Sequence, residues 1–211
     1  MFFSTIEGLF LGIPAILIAI SLHEYAHGRM ADFLGDPTPA AQGRLTINPI
    51  KHLDVMGSLM LLLVGFGWAK PVQVNPFHFR IDRQKGMMIV GLAGPLMNLF
   101  IALLAGFGYN MLGNIVLPVL GVKLGVFFSY LIWFNVMLAI FNLLPLPPLD
   151  GSKVLMGILP KRSLGTFHTL EVYGPIILLV LLIFGFVGAI IRPIILSVIG
   201  LIVKITSFGI Y

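Results

Sequence analysis

Charge is absent from the middle of this chain. No Asp, Glu, Lys or Arg occurs between Lys85 and Lys123, and after Lys123 the next charged residue is Asp150. Few folds tolerate such a stretch. A soluble domain carries about 25% charged residues, whereas this chain has 10%, with 58% hydrophobic. A membrane-spanning helix needs roughly 20 apolar residues in succession, and the uncharged interval supplies two. They lie near 87–111 and 122–144 and are separated by the turn-prone Gly113-Asn114 and Pro118. A third uncharged run, Val172 to Ile191, reads as another span, interrupted by Arg192-Pro193 before a last apolar run toward Lys204. The first span, about Gly8 to Leu34, differs in kind because it contains His23, Glu24, His27, Arg29 and Asp32. The N-terminus lacks a basic region and a small-residue cleavage site, so it reads as retained.

These runs predict an all-α polytopic membrane protein with about five to six membrane segments, forming a single domain over residues 1–211. Between the first span and Gly86 the pattern changes. Residues 43–49 (GRLTINP) and 70–76 (KPVQVNP) alternate and end in Asn-Pro, which predicts short membrane-associated strands or a hairpin closed by turns. Val55 to Trp68 is apolar but too short to cross comfortably, so a re-entrant segment is expected. Non-helical backbone survives at membrane depth only beside protein or a water-filled cavity, which makes this region the expected border of one.

Basic residues orient the chain. Arg29, Arg44, Lys51, Lys70, Arg80, Arg83 and Lys85 fall in one region and Lys153, Lys161 and Arg162 in another, against Lys123 alone in the 112–123 connection. The excess places both basic regions on the cytoplasmic side of the cell membrane. The net charge of +5 is thereby accounted for without nucleic acid. With no cysteine present, disulfides, thiolate metal sites and Cys nucleophiles are excluded together.

Ionisable residues within apolar spans are costly and functional by default. Of the eight acids, Glu7, Asp32, Asp36, Asp54, Asp82 and Glu171 fall at span ends or in loops, where solvated caps and turns explain them. Glu24 and Asp150 are embedded in apolar sequence. The same test on the five histidines isolates His23 and His27, whereas His52, His78 and His168 fit surface or loop-packing roles. His23-Glu24-Tyr25-Ala26-His27 has the form HExxH. Residues i and i+4 share a helix face, so both imidazoles can converge on one metal ion. The glutamate between them is placed as general base. Zinc suits such donors, one ion per chain, and catalytic zinc takes three protein ligands. Residues 28–33, directly after His27, hold no third histidine. Glu171, in a loop-like polar patch, is one candidate for the third ligand. Asp150 is the better one, because three prolines unwind the chain before it and it then opens the next helix. His27 lies seven residues before Leu34, about 10 Å at 1.5 Å per residue, so the site is expected in the cytoplasmic half of the bilayer.

Three segments in order, His23-Glu24-x-x-His27, Ala93-Gly94-Pro95-Leu96-Met97-Asn98 and Asn142-Leu-Leu-Pro-Leu-Pro-Pro-Leu-Asp150-Gly151, resemble the site-2 protease family of intramembrane zinc metalloproteases (peptidase family M50) over roughly residues 20–155. The resemblance implies zinc held by His23, His27 and Asp150, with Glu24 as catalytic base. It implies that Asn142 stabilises the oxyanion or holds the substrate strand, and that Asn98 serves helix packing and site support. Asn142 could instead satisfy carbonyls freed around the prolines. Substrates would be transmembrane proteins or signal-peptide remnants within the lipid bilayer. No PDZ-like insertion or cystathionine-synthase-type tail is visible, so a core-only member is expected. Gly91, Gly94, Gly106 and Gly108 suggest close helix packing. The rival class is a zinc transporter or sensor, which would use the histidines without needing the base between them.

Overall fold

The computed structural model describes residues 8–64, 67–118 and 121–207; Glu7 lies outside this set. The first helix opens with a π-helical turn at Gly8–Gly12 and continues as α1 (Ile13–Phe33). Pro14 falls in its first turn, where a missing N–H costs nothing. Its end is fixed by hydrogen bonding: Gly35 adopts φ +109°, Gly35 N donates to Asp32 O and Asp36 N to Ala31 O. This paired closure suits a glycine, the residue with no Cβ to oppose positive φ. It also tucks Asp36 beneath the helix end.

The next segment is mostly irregular, with two short helices, α2 (Thr38–Ala41) and α3 (Val55–Val64). Residues 43–49 and 70–76 form no ladder among the described residues. A single bridge, Leu53 to Ala69, lies between them in sequence, and side chains hold the rest. Buried Arg44 donates from its guanidinium to the carbonyls of Lys51, Lys70 and Pro71. Fully buried His52 packs this loop through Nε2 to Thr46 O (2.7 Å). Asp36, expected in a solvated turn, is instead buried. Its carboxylate accepts from Thr38 N, Thr38 Oγ1, Asn75 N and His78 Nδ1 at 2.6–3.0 Å. Backbone groups that lack a ladder need other partners, and Arg44 and Asp36 supply them. That is why strand-like alternation did not become a sheet here.

The hairpin lies elsewhere. β1 (Val116–Leu117) and β2 (Val122–Lys123) pair antiparallel between α4 (Arg83–Leu112) and α5 (Leu124–Asn142). A proline-rich turn follows, containing a cis Pro147–Pro148 bond, then α6 (Asp150–Ile158), α7 (Leu164–Ile183) and α8 (Phe186–Ser207). Two expectations change at this end. The run 172–191 is divided at Gly185, which has φ +74°, and Arg192-Pro193 lies inside α8 instead of interrupting it. In an apolar setting one lost helical hydrogen bond is cheaper than an opened helix with several exposed backbone groups. Glu171 likewise stands on α7 and not in a loop.

Among the described residues, four helices are long and apolar enough to cross a membrane: Gly8–Phe33, Arg83–Leu112, Leu124–Asn142 and Phe186–Ser207, with a shorter apolar stretch at Thr169–Ile183. The chain is a multi-pass membrane protein. Helix α4 is central, packing against α1, α5, α6 and α8. The main core gathers Ala15, Ala19, Ala102, Phe134, Val136 and Ile195 from four of these helices. α7 meets that core through Leu178, and its Gly174 packs on Pro147.

Candidate metal centre

Two ladders of helix positions four residues apart face each other. Ala19, His23 and His27 form one on α1, and Val90, Gly94 and Asn98 form the other on α4, running antiparallel. His23 Nδ1 lies 2.5 Å from Asn98 Oδ1, and His27 Nδ1 lies 2.7 Å from Val90 O. A carbonyl oxygen only accepts, so His27 carries its proton on Nδ1. Asn98 Nδ2 donates to Ala19 O (3.0 Å) and to Asn135 Oδ1 (2.8 Å), which leaves the amide oxygen for His23. Both rings therefore present the lone pair of Nε2 to the same point.

Asp150 completes it. Its Oδ2 lies 3.0 Å from His23 Nε2 and 2.9 Å from His27 Nε2, and the two Nε2 atoms are 3.0 Å apart. All three side chains are buried. Asp150 reaches this point because the prolines hold residues 143–149 out of helix and α6 begins at the aspartate itself. Its other oxygen, Oδ1, pairs with Lys153 Nζ at 2.8 Å, one turn along α6.

Three electron-pair donors converging in an apolar interior repel one another unless a cation lies among them. Ligands of a tetrahedral zinc ion at about 2.0–2.1 Å stand roughly 3.3 Å apart, so this triangle is a few tenths of an ångström tighter than a filled site. The donor set, the tautomers and the size fit a divalent metal. Among the described residues, it is the one cluster of three His, Asp or Glu side chains that does.

Gly94 allows the helices this close. A Cβ there would sit 2.5 Å from His27 Nε2 and 2.6 Å from His23 Cε1. The packing role expected for this glycine is thus packing against the histidines themselves.

The site opens into a cavity of about 450 Å³ whose lining includes Glu24, Trp68, Val72, Asn142 and Leu178. Glu24 Oε2 accepts from Val72 N at 2.9 Å, so the 70–76 segment holds this carboxylate beside the histidines. Asn142 Nδ2 donates to Leu138 O on its own helix at 2.9 Å. Glu171, the alternative third ligand, is exposed on α7 and outside the cluster.

Asn135, Lys153 and the Val72 N–H were not anticipated from the sequence. An asparagine in an apolar helix carries no charge to mark it. The usable signal was that an amide in a membrane span is expected to bond across helices.

The sequence pattern of peptidase family M50 matches residues 111–184, the segment carrying Asn142 and Asp150. "Putative zinc metalloprotease YwhC" of Bacillus subtilis (strain 168) is 40% identical over 172 residues, covering 80% of this chain and 78% of that protein. "Putative zinc metalloprotease Rip2" of Mycolicibacterium smegmatis is 33% identical over 179 residues, 81% of this chain and 66% of the relative. Its Mycobacterium tuberculosis (strain ATCC 25618 / H37Rv) namesake is 30% identical over 172 residues, 80% and 65% respectively. No solved structure matches the chain. With 40% identity running across four fifths of the chain, the chain belongs to peptidase family M50.

Proposed function

We propose that this protein is an intramembrane zinc metalloprotease that hydrolyses a peptide bond in or near the transmembrane segment of membrane-protein substrates, signal-peptide remnants included. The observation that carries the reading is the meeting of His23 Nε2, His27 Nε2 and Asp150 Oδ2 within 3.0 Å, with Glu24 lining the same cavity. His23, His27 and Asp150 are the zinc ligands in this reading. Zinc bound there supplies Lewis acidity toward the scissile carbonyl and lowers the pKa of water.

The chain's own groups do the remainder. Glu24 takes a proton from the attacking water and passes it to the leaving amine, and the Val72 N–H keeps its carboxylate aimed. Asn142 spends one amide N–H on Leu138 O and has a second to offer the developing oxyanion. A helical peptide bond is shielded by its own turn, so the substrate must be extended at the point of cleavage. The 70–76 edge, which lines the cavity through Pro71, Val72 and Val74, is the surface on which an extended segment pairs by β-augmentation. The 43–49 segment does not line the cavity. The 29–85 and 145–171 regions carry ten of the 13 basic residues, so they face the cytoplasm and the site lies in the cytoplasmic half of the cell membrane. Residues 1–211 act as one such domain.

Glu24→Gln tests this directly, because glutamine retains an acceptor for Val72 N–H but cannot carry the proton. In proteoliposomes with a single-span substrate, cleavage should fall by about 10²–10⁴-fold while zinc content is unchanged. Cleavage at the wild-type rate would refute the proposal. Zinc flux into vesicles that is indifferent to this substitution would support a transporter instead.

A further inference from the structure

Asn135 sits in the middle of α5, fully buried between Phe134 and Val136. Its Nδ2 donates to Leu131 O at 2.8 Å, a carbonyl one turn back on its own helix. That bond joins no two helices. What it does is fix the amide's orientation, so that Oδ1 faces α4 and accepts from Asn98 Nδ2 at 2.8 Å. With Ala19 O taking the other proton of the same nitrogen, both N–H groups of Asn98 are committed away from His23. Only the Asn98 oxygen is left for the imidazole.

A half-turn of the Asn98 amide would reverse this. Its NH₂ would face His23 Nδ1, which would then have to carry a lone pair, moving the ring proton to Nε2, the atom at the metal position. We propose that Asn135 is a positioning residue that selects the metal-binding tautomer of His23 by orienting Asn98, a role that rests on the zinc reading above. His27 needs no such relay because a main-chain carbonyl, which cannot be flipped, takes its Nδ1 proton. The two ligands are therefore supported unequally: one directly by a main-chain carbonyl, the other through Asn98, whose amide Ala19 O and Asn135 orient together.

The alternative is that the Asn98–Asn135 bond merely ties α4 to α5. The test is a double-mutant cycle on zinc affinity, measured by chelator competition in detergent on wild type, Asn135→Leu, Asn98→Leu and the double variant. Outer partners of metal ligands are worth about 10–100-fold in affinity, and Asn135→Leu should lose about ten-fold. The double variant should bind no more weakly than Asn98→Leu, because Asn135 acts only through Asn98. Asn135→Asp keeps an acceptor toward Asn98 and should restore most of the affinity. With zinc bound, ¹⁵N-histidine spectra should show His23 protonated on Nδ1 in wild type and that signal weakened in Asn135→Leu, with His27 unmoved. Should the leucine variant not fold, Asn135→Ala removes the same acceptor. Wild-type affinity in Asn135→Leu or Asn135→Ala, additive losses, or an unchanged tautomer would each overturn the relay. Failure of the wild-type protein to bind zinc would instead overturn the zinc reading itself.

Discussion

Adding one methyl group at Gly94 should cost the protein its metal. The helix that would have to retreat from the new Cβ is the one that pins the histidines. The Cβ would lie 2.5 Å from His27 Nε2 and 2.6 Å from His23 Cε1 and His27 Cε1. Unstrained carbon contacts begin near 3.5 Å, so α4 and the rings must part by about 1 Å. The rings cannot swing aside freely, because their Nδ1 atoms are bonded to Val90 O and Asn98 Oδ1, one turn to either side on α4 itself. Moving α4 breaks those bonds, and moving the rings displaces Nε2 from Asp150. Functional geometry tolerates roughly 0.5 Å, and a 1 Å misplacement can cost about 10²-fold in rate. Gly94→Ala is therefore expected to lower zinc affinity by about 10–100-fold and to abolish most proteolysis. Helix propensity alone would favour alanine by about 1 kcal/mol. Gly200→Ala on α8 isolates that term, since a Cβ there meets nothing within 4 Å. Metal analysis after dialysis against a graded chelator, with melting curves in detergent, separates the two effects. Gly200→Ala should bind zinc as wild type and melt no lower. A Gly94→Ala variant that retained one zinc per chain at wild-type affinity would refute the argument.

Two further outcomes are expected. Asp150→Ala removes the only carboxylate of the triangle and should reduce zinc from one per chain to a small fraction, read by metal analysis; unchanged zinc would eliminate it as the third ligand. Asp36 gives a pH test. Burial pushes its carboxyl up, but bonds from Thr38, His78 and Asn75 outweigh this and hold it below its ordinary value of 3.8. Its contribution to stability is thus complete above that value and is lost as pH falls below it. Melting temperature between pH 5 and 3 should decline less steeply in Asp36→Asn than in wild type.

Most of the site was legible because membranes make polar residues conspicuous. His23, Glu24, His27 and Asp150 stood out against apolar neighbours, and helix periodicity put the histidines on one face. Other parts were not legible for specific reasons. Alternation at 43–49 and 70–76 looked like paired strands, but pairing depends on a partner edge, and the Arg44 guanidinium took the carbonyls instead. Asp36 looked like a solvated turn because its partners Asn75 and His78 lie far along the chain. Arg192-Pro193 looked like a helix end, since sequence cannot weigh one lost hydrogen bond against the cost of opening a helix in hydrocarbon.

What the sequence determined by itself was the solvent and the chemistry. The scarcity of charge demanded a bilayer, HExxH demanded a metal-sized gap on one helix face, and the prolines before Asp150 demanded an unwound approach. Such constraints act within a few turns of chain. Only the tertiary structure decided which nitrogen of each imidazole faces the gap, because that depends on a carbonyl at Val90 and two amides at Asn98 and Asn135 on other helices. Tautomers are set by whatever lies across the interface, and no local pattern on α1 carries that information.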